Sequence, residues 1–575
     1  MLEGERSYQR GQENLVPRDN ASSAPENPVI PKAQEKPWYI QHFTKLLISF
    51  GLGGGAVAIL LPWMLWLHCG MSSGSSDQLR LHLLYVTGGI IAVLTLLQTN
   101  WKNQGDRLKI DADIKKNEQD AENEAAKREQ DAVKSERDHT RQVHAERRSR
   151  YTMAVEQLAN EKATVRLGGI YTLVGLVDEW LADDTLKPEE QQKEGQVIIN
   201  NLCSYIRSPF TLALKAETFN AGSEPENYEG DFSKDQAAFH EEQDVRRTIF
   251  VEMSKRSSNT IEDEGEVIET VPGPWSSFDF DFSRAPIFYP LNAITIEKGN
   301  FSSAKFYSNA DFSEATFTRT ADFSAVTFAQ TVNFSWAIFA HNANFRRASF
   351  AHNTDFSWAV FTHYADFRWA TFTHNTDFNE ATFTHYASFR WATFTHNANF
   401  SETIFVQDAN FDEVTFTQDT DFSQAVFTQN ANFSETTFAQ TADFSSATFT
   451  HAAYFWRAVF AQDANFSWAV FVQDADFNES TFSTSSPKFM ETFETSGMTF
   501  RARFAALPED REAHNFMVSE HSQPILLGEV ELNDMKYYIP VGTILFDPNS
   551  WDEENYRYTC VSEPAKPRED SDTEE

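Results

Sequence analysis

Phenylalanine recurs alternately five and six positions apart from Phe301 to Phe482, in the series Phe301, Phe306, Phe312, Phe317, Phe323, Phe328 and onward without a break. The repeating unit therefore spans two Phe, as in ADFSAVTFAQT at 321–331, and such units follow one another over the whole stretch. An 11-residue period can signal a right-handed coiled coil. Here the unit is filled with Phe, Thr, Asn, Asp and Ser, which are poor helix formers. Short strands joined by tight turns fit instead. One residue type at a fixed period implies coils stacked so that like side chains form columns.

A doubled period overlies the shorter one. Asn353, Asn375 and Asn397 alternate with Tyr364 and Tyr386, while Trp336 and Trp358, like Trp369 and Trp391, stand two units apart. Recent duplication would leave the same mark. Read as geometry, two units are four faces of five plus two extra, so one coil is two units with four Phe inside. The stretch then makes about 8.5 coils, and a spacing of ~4.8 Å between stacked strands makes a rod ~40 Å long.

The chain has 575 residues, too many for one compact core. Leu46 to Leu67 carries no charge and is long enough to cross ~30 Å of hydrocarbon. Leu81 to Thr99 is a second apolar run, interrupted only by His82. With Gly70 to Arg80 between them, the two are expected to form a transmembrane hairpin over 43–100 (spans 46–67 and 81–99). Lys32, Lys36 and Lys45 precede the first span, and Lys102, Arg107, Lys109, Lys115 and Lys116 follow the second, whereas the linker holds only Arg80. The positive-inside rule then puts both termini and the repeat in the cytoplasm of a plasma membrane. Gly51 and Gly55, with Gly88 and Ala92, give small-x-x-x-small steps. Packing within the hairpin is the plain reading, and a homo-oligomer is the sharper one.

Residues 1–42 are expected to be a disordered cytoplasmic N-terminus. Residues 101–150, rich in Ala, Glu, Lys and Arg, predict a long charged helix. Ile110, Ile114, Ala121 and Ala125 form a heptad fragment that permits a coiled coil. Apolar helical faces such as Leu173, Val174, Val177 and Trp180 predict a helical module over 151–255 that covers the open end of the solenoid. Residues 256–298 read as a linker, mobile and acidic from Ser257 to Gly273, and a first irregular coil. The solenoid is expected at 299–485, a C-terminal cap at 486–560 and an acidic disordered tail at 561–575. The cysteines, Cys69, Cys203 and Cys560, are odd in number and far apart, which fits a reducing compartment.

The phrases ADFSEATF, ANFSETTF and ADFSSATF resemble pentapeptide repeats, A-(D/N)-(L/F)-x-x, in a Phe-centred variant with one extra residue every second repeat. The resemblance implies a right-handed quadrilateral β-helix. AVEQLANEKATVRLGGIYTLVGL, 154–176, is similar to a segment that joins a membrane hairpin to such repeats in bacterial proteins. That resemblance implies a bacterial source and no activity. In family terms the inward positions are the central Phe and the small residue two before it. Ala315, Ala337, Ala348 and Ala359 fit the small slot, while Thr403, Val414 and Thr436 depart from it. Burial of each Phe contributes ~2–3 kcal/mol.

Specificity must then lie outside. His341, His352, His363, His374, His385 and His396 recur once per unit, which predicts two columns of three on opposite sides, with neighbours ~5 Å apart. Metal binding or pH sensing is one reading. A multiplied polar corner is the other, favoured by Gln at 407 and 418 and by the lack of neighbouring Cys or Glu ligands. Trp336, Trp358, Trp369, Trp391 and Trp468 share one outward slot, with Arg347, Arg368 and Arg390 beside some of them. Trp and Arg are the residue types of interface hot spots, so these eight are the candidate interaction surface.

No catalytic, cofactor or metal residues are assigned, because Ser and Asp form a lattice rather than a pocket. The expected function is a non-enzymatic, membrane-anchored scaffold for a protein partner. Some soluble pentapeptide-repeat proteins resemble DNA and act on DNA topoisomerases, which supplies the alternative. Between Phe301 and Phe482 there are 19 Asp plus Glu against 7 Lys plus Arg. A net charge of −36 argues against direct nucleic-acid binding. A sensor or enzyme in the terminal modules is the third possibility.

Overall fold

A computed structural model describes residues 35–263, 266–291, 299–493, 497–507, 514–553 and 557–568. Of the disorder expected at 1–42 and 561–575, the parts at 1–34 and 569–575 lie outside the described residues. Among the described ones, Trp38–Gln41 is a short helix and Lys566–Pro567 is a strand held by antiparallel pairing with Gly528–Glu529. The chain divides into two compact units, 1–138 and 139–575.

In the first unit, α1 (Phe43–Cys69) is followed by α2 (Ser73–Leu158), which ends in the second unit. Each contains a stretch long and apolar enough to cross a membrane. The second apolar run and the charged segment are thus one continuous helix. Within the hairpin the close approach is at Gly54, where a Cβ would run into the Thr87 side chain; Cβ atoms at Gly51, Gly55 and Gly88 would meet nothing. The small-x-x-x-small steps are not what packs the hairpin. Ile110 and Ile114, from the heptad fragment, are exposed.

The second unit begins with the end of α2, packed on α3 (Ala163–Leu181), α4 (Pro188–Arg207) and α5 (Phe232–Ser257). Leu173, Val177, Ile199, Leu202, Val245 and Ile249 form the buried core of this module. Buried Asp183 fastens the end of α2 to α3: His144 Nε2 lies 2.9 Å from it and Arg147 pairs with it. The segment read as mobile is instead an antiparallel hairpin of Ser258–Asp263 and Glu266–Pro272. Its backbone groups are satisfied by pairing, which a polar, acidic composition does not reveal. The module then lies on the first coil. Phe250 meets Phe282 at 4.5 Å and Phe239 meets Phe288 at 5.2 Å. Arg207 Nη1 pairs with Asp281 Oδ2 at 2.5 Å.

Four parallel sheets follow, built from two-residue strands. They are called faces I to IV in the order in which the chain visits them, from Ala310–Asp311 through Thr316–Phe317 and Ala321–Asp322 to Thr327–Phe328. Each strand pairs in parallel with the one two units on, as in Phe339 with Phe361 and Val332 with Thr354. One coil is therefore the doubled period, and the solenoid has about nine turns. Every Phe of the series from Phe301 to Phe482 is at most 2% exposed. Their rings stack along columns, for example Phe339 on Phe361 at 4.7 Å with planes 1° from parallel. The small slot is buried too. Thr403 and Thr436 fit there because their hydroxyls donate to the carbonyls of Phe378 (2.8 Å) and Phe411 (2.6 Å).

The sheets outrun the regular repeat at both ends. Phe280–Asp281 and Pro286–Ile287 begin faces III and IV. Arg503–Ala505 and Ile544–Phe546 extend face II, and His514–Asn515 extends face III. The Phe column continues through Phe471 on Phe504 at 4.9 Å.

Candidate interaction surface

The outward slots are set by one turn repeated at every unit. In Asp311-Phe312-Ser313-Glu314-Ala315 the Asp carboxylate accepts from the Ser313 amide (3.1 Å), and the Ala315 amide donates to the Phe312 carbonyl (3.1 Å). The first bond is an Asx turn; the second closes a β-turn whose third residue, Glu314, has φ of 60°. This is why Asp or Asn precedes Phe in the repeat. Eight of the rod's carboxylates (Asp311, Asp322, Asp355, Asp366, Asp377, Asp421, Asp443 and Asp476) each accept from a backbone amide two residues on.

Left-handed φ recurs once per unit from Ser303 to Glu479, and no occupant is Gly, Asn or Asp. All five candidate Trp sit in this slot, with φ from 57° to 63°, and so does Arg347 at 58°. The slot falls into two columns. Trp336, Trp358 and Trp468 lie on the corner between faces I and II. Arg347, Trp369 and Trp391 lie on the corner between faces III and IV, with Arg368 and Arg390 one residue before the two Trp. A four-cornered coil makes these corners diagonally opposite. The eight residues form two surfaces rather than one.

On the first corner Trp336 stacks on Trp358 at 4.7 Å, with planes 1° apart, and is 55% exposed. Trp468 stands apart, against Phe500 at 4.4 Å. On the second corner Trp369 stacks on Trp391 at 4.4 Å. The guanidinium groups of Arg346, Arg347 and Arg368 lie 4.7, 5.4 and 6.0 Å from the Trp369 ring centre, and Arg390 lies 3.8 Å from that of Trp391. Arg368 grips Asp366 through Nε and Nη2, at 2.8 and 2.6 Å. That paired carboxylate raises the Arg368 pKa. Arg390 reaches Asp412 (2.5 Å) and Glu413 (2.8 Å) in the next coil.

Sequence reasoning left out residues that the fold brings to the same region. Tyr364 and Tyr386 stack at 5.5 Å at the entry to face III, and the Tyr364 hydroxyl bonds Asp366, the carboxylate that Arg368 grips. Burial first, then the Asp366 carboxylate, pushes the Tyr364 hydroxyl up to about 12. Further along the second corner, Arg457 lies 4.3 Å from the ring centre of Trp456. The doubled period carried the signal for all of these. Applied to the His series, it separates His341 from His352. Applied to the Trp series, it separates Trp358 from Trp369.

The other two corners carry the histidines. His341, His363 and His385 stack at 5.0 and 5.2 Å between faces II and III; His352, His374 and His396 stack at 4.9 and 5.1 Å between faces IV and I. Thr362 and Thr373 hydroxyls lie 3.0 and 3.2 Å from the Nδ1 atoms of His363 and His374. Among the described residues no three His, Cys, Asp or Glu side chains converge as a metal site.

Residues 301–349 and 402–448 match the family model described as pentapeptide repeats, in nine copies. No curated protein and no solved structure matches the chain.

Proposed function

As a pentapeptide-repeat β-solenoid the chain is of a protein-interaction scaffold type, and we propose that it is a non-enzymatic scaffold held at the cytoplasmic face of a bacterial plasma membrane by its helical hairpin. The observation that carries the reading is the occupancy of the left-handed corners. Gly would hold that backbone with least strain, and L-residues there cost about 1–2 kcal/mol. The fold accepts Ser303, Ala325 and Gln424 in the slot, so it does not require Trp. Stacked, half-exposed indoles beside Arg have the composition of an interface core. Two apolar helices joined by only Gly70 to Ser72 suit a hairpin anchor, and the charge flanking them suits a cytoplasmic solenoid. Oligomerisation through the unused Gly51 and Gly55 face belongs to the same reading.

Mimicry of DNA is less well supported. Eight of the 19 acidic side chains between Phe301 and Phe482 are committed to Asx turns. Four Arg also interrupt any acidic stripe on the second corner. Crosslinking capture from native membranes tests the scaffold. The intact chain is compared with Trp336→Ala/Trp358→Ala and with Trp369→Ala/Trp391→Ala. A specific partner lost with one pair and kept with the other is expected. Topoisomerase subunits recovered equally with all three would replace this reading with mimicry.

A further inference from the structure

We propose that the corner between faces III and IV, over the three coils from Arg346 to Trp391, docks an acidic segment of a partner protein. The inference rests on the scaffold reading above and names the chemistry of its partner.

Charge makes the first argument. The chain has a net charge of −36, yet these coils place Arg346, Arg347, Arg368 and Arg390 along one edge, and Asp366 is the one carboxylate on the adjoining face at the same levels. Arg368 is matched by Asp366, and Arg390 by Asp412 and Glu413. Arg346 and Arg347 meet no carboxylate among the described residues. Both instead lie over the Trp369 ring, and Arg346 Nε is buried without a hydrogen-bond partner. Two cationic groups are thus held in place by an indole with no counter-charge of their own. An incoming carboxylate would meet donors whose geometry is already fixed.

Size and surroundings narrow the occupant. The coil after Arg390 brings Asp412 and Glu413 to the same edge, and the one after that brings Glu435. The cationic island is therefore three coils high, a rise of about 10 Å between its outer levels. Nucleic acid or a lipid surface would extend past it into carboxylates. A short acidic segment would not. A second copy packed alongside in parallel would set Arg346 and Arg347 against themselves. The stacked pairs Trp369–Trp391 and Tyr364–Tyr386 add a rigid aromatic bed for an apolar or aromatic side chain of the same segment.

The full-length protein, in nanodiscs of phosphatidylcholine, tests this by fluorescence anisotropy. The probes are a labelled peptide of about a dozen residues, rich in Asp and Glu around one Tyr, and its counterpart with Lys in place of every acid. The acidic peptide is expected to bind at least about ten-fold more tightly, with affinity falling as salt rises. Arg346→Glu/Arg347→Glu should lose about ten-fold. Arg346→Gln/Arg347→Gln should lose less, and Trp336→Ala/Trp358→Ala, on the opposite corner, should lose nothing. Equal binding of the two peptides, or unchanged binding by the Glu variant, overturns the proposal. So does Arg-dependent binding seen only with phosphatidylserine vesicles, which would make the island a lipid site. If the acidic peptide fails while Trp-dependent capture of a partner persists, this inference falls and the scaffold reading stands.

Discussion

Trp369 lies on Trp391 one coil further along, with ring centroids 4.4 Å apart and planes 15° from parallel, and both residues hold φ near +60° (57° and 61°). The backbone position is dictated by the turn and the stacking by the coil repeat. Only the identity of the side chain is left free, and that is where a solenoid of identical coils can carry information. The same turn makes its strain testable. At Glu402, φ is 55°, and Gly would relieve a left-handed penalty of about 1–2 kcal/mol while costing up to about 1 kcal/mol in unfolded-state entropy. Glu402→Gly should raise the urea midpoint slightly, by the equivalent of about 0.5–1 kcal/mol. Glu402→Val should lower it, because a β-branched residue is poorly accommodated there.

The Phe columns should dominate stability. Phe389 is fully buried, between Phe367 and Phe411 at 4.8 Å each. Phe389→Ala should cost about 3–5 kcal/mol through the cavity it leaves in mid-stack. Thr436→Ala, which supplies the residue usual in that slot and removes both a hydroxyl and its bond, should change stability by less than about 1 kcal/mol. Denaturant unfolding of the two variants separates these outcomes.

Acid should loosen the end of α2. Burial pulls the Asp183 carboxyl up, but bonds from Thr185, Arg147 and His144 outweigh it and hold the group well below the usual carboxylate range. A depressed carboxylate contributes stability that is complete above its unfolded value, near 3.9, and is lost as pH falls through the folded value. Unfolding of the intact protein should therefore become easier as pH drops below about 4. Asp183→Asn should be less stable at neutral pH and should lack that part of the acid dependence. An equally steep acid limb in the variant would remove Asp183 as its source.

The coil was legible in the sequence because Phe spacing and its echo at twice the unit leave few geometries open. Columns of His about 5 Å apart followed from it. Two things were not legible, and a third was legible but passed over. The left-handed corner was hidden because Trp, Glu and Arg fill it where Gly or Asn would have advertised it. The split of the Trp set into opposite corners was available from the same doubled period but is invisible when single units are aligned. The hairpin from Ser258 to Pro272 carries no apolar alternation, since its order comes from backbone pairing. At the surface, residue type pointed to Trp and Arg, while Tyr364 and Tyr386 joined them only through stacking across coils.

The three free cysteines give the most direct test of a cytoplasmic scaffold on a membrane hairpin. Cys69 is exposed at the end of α1, on the linker side; Cys560 is half-buried beyond the solenoid; Cys203 is fully buried, its thiol pushed by burial up to about 12. A membrane-impermeant maleimide is applied to cells whose inner membrane is accessible but intact, and then again after lysis. The account predicts labelling of Cys69 before lysis, of Cys560 only after it, and of Cys203 only on denaturation. Labelling of Cys560 in intact cells, or protection of Cys69 until lysis, would contradict it.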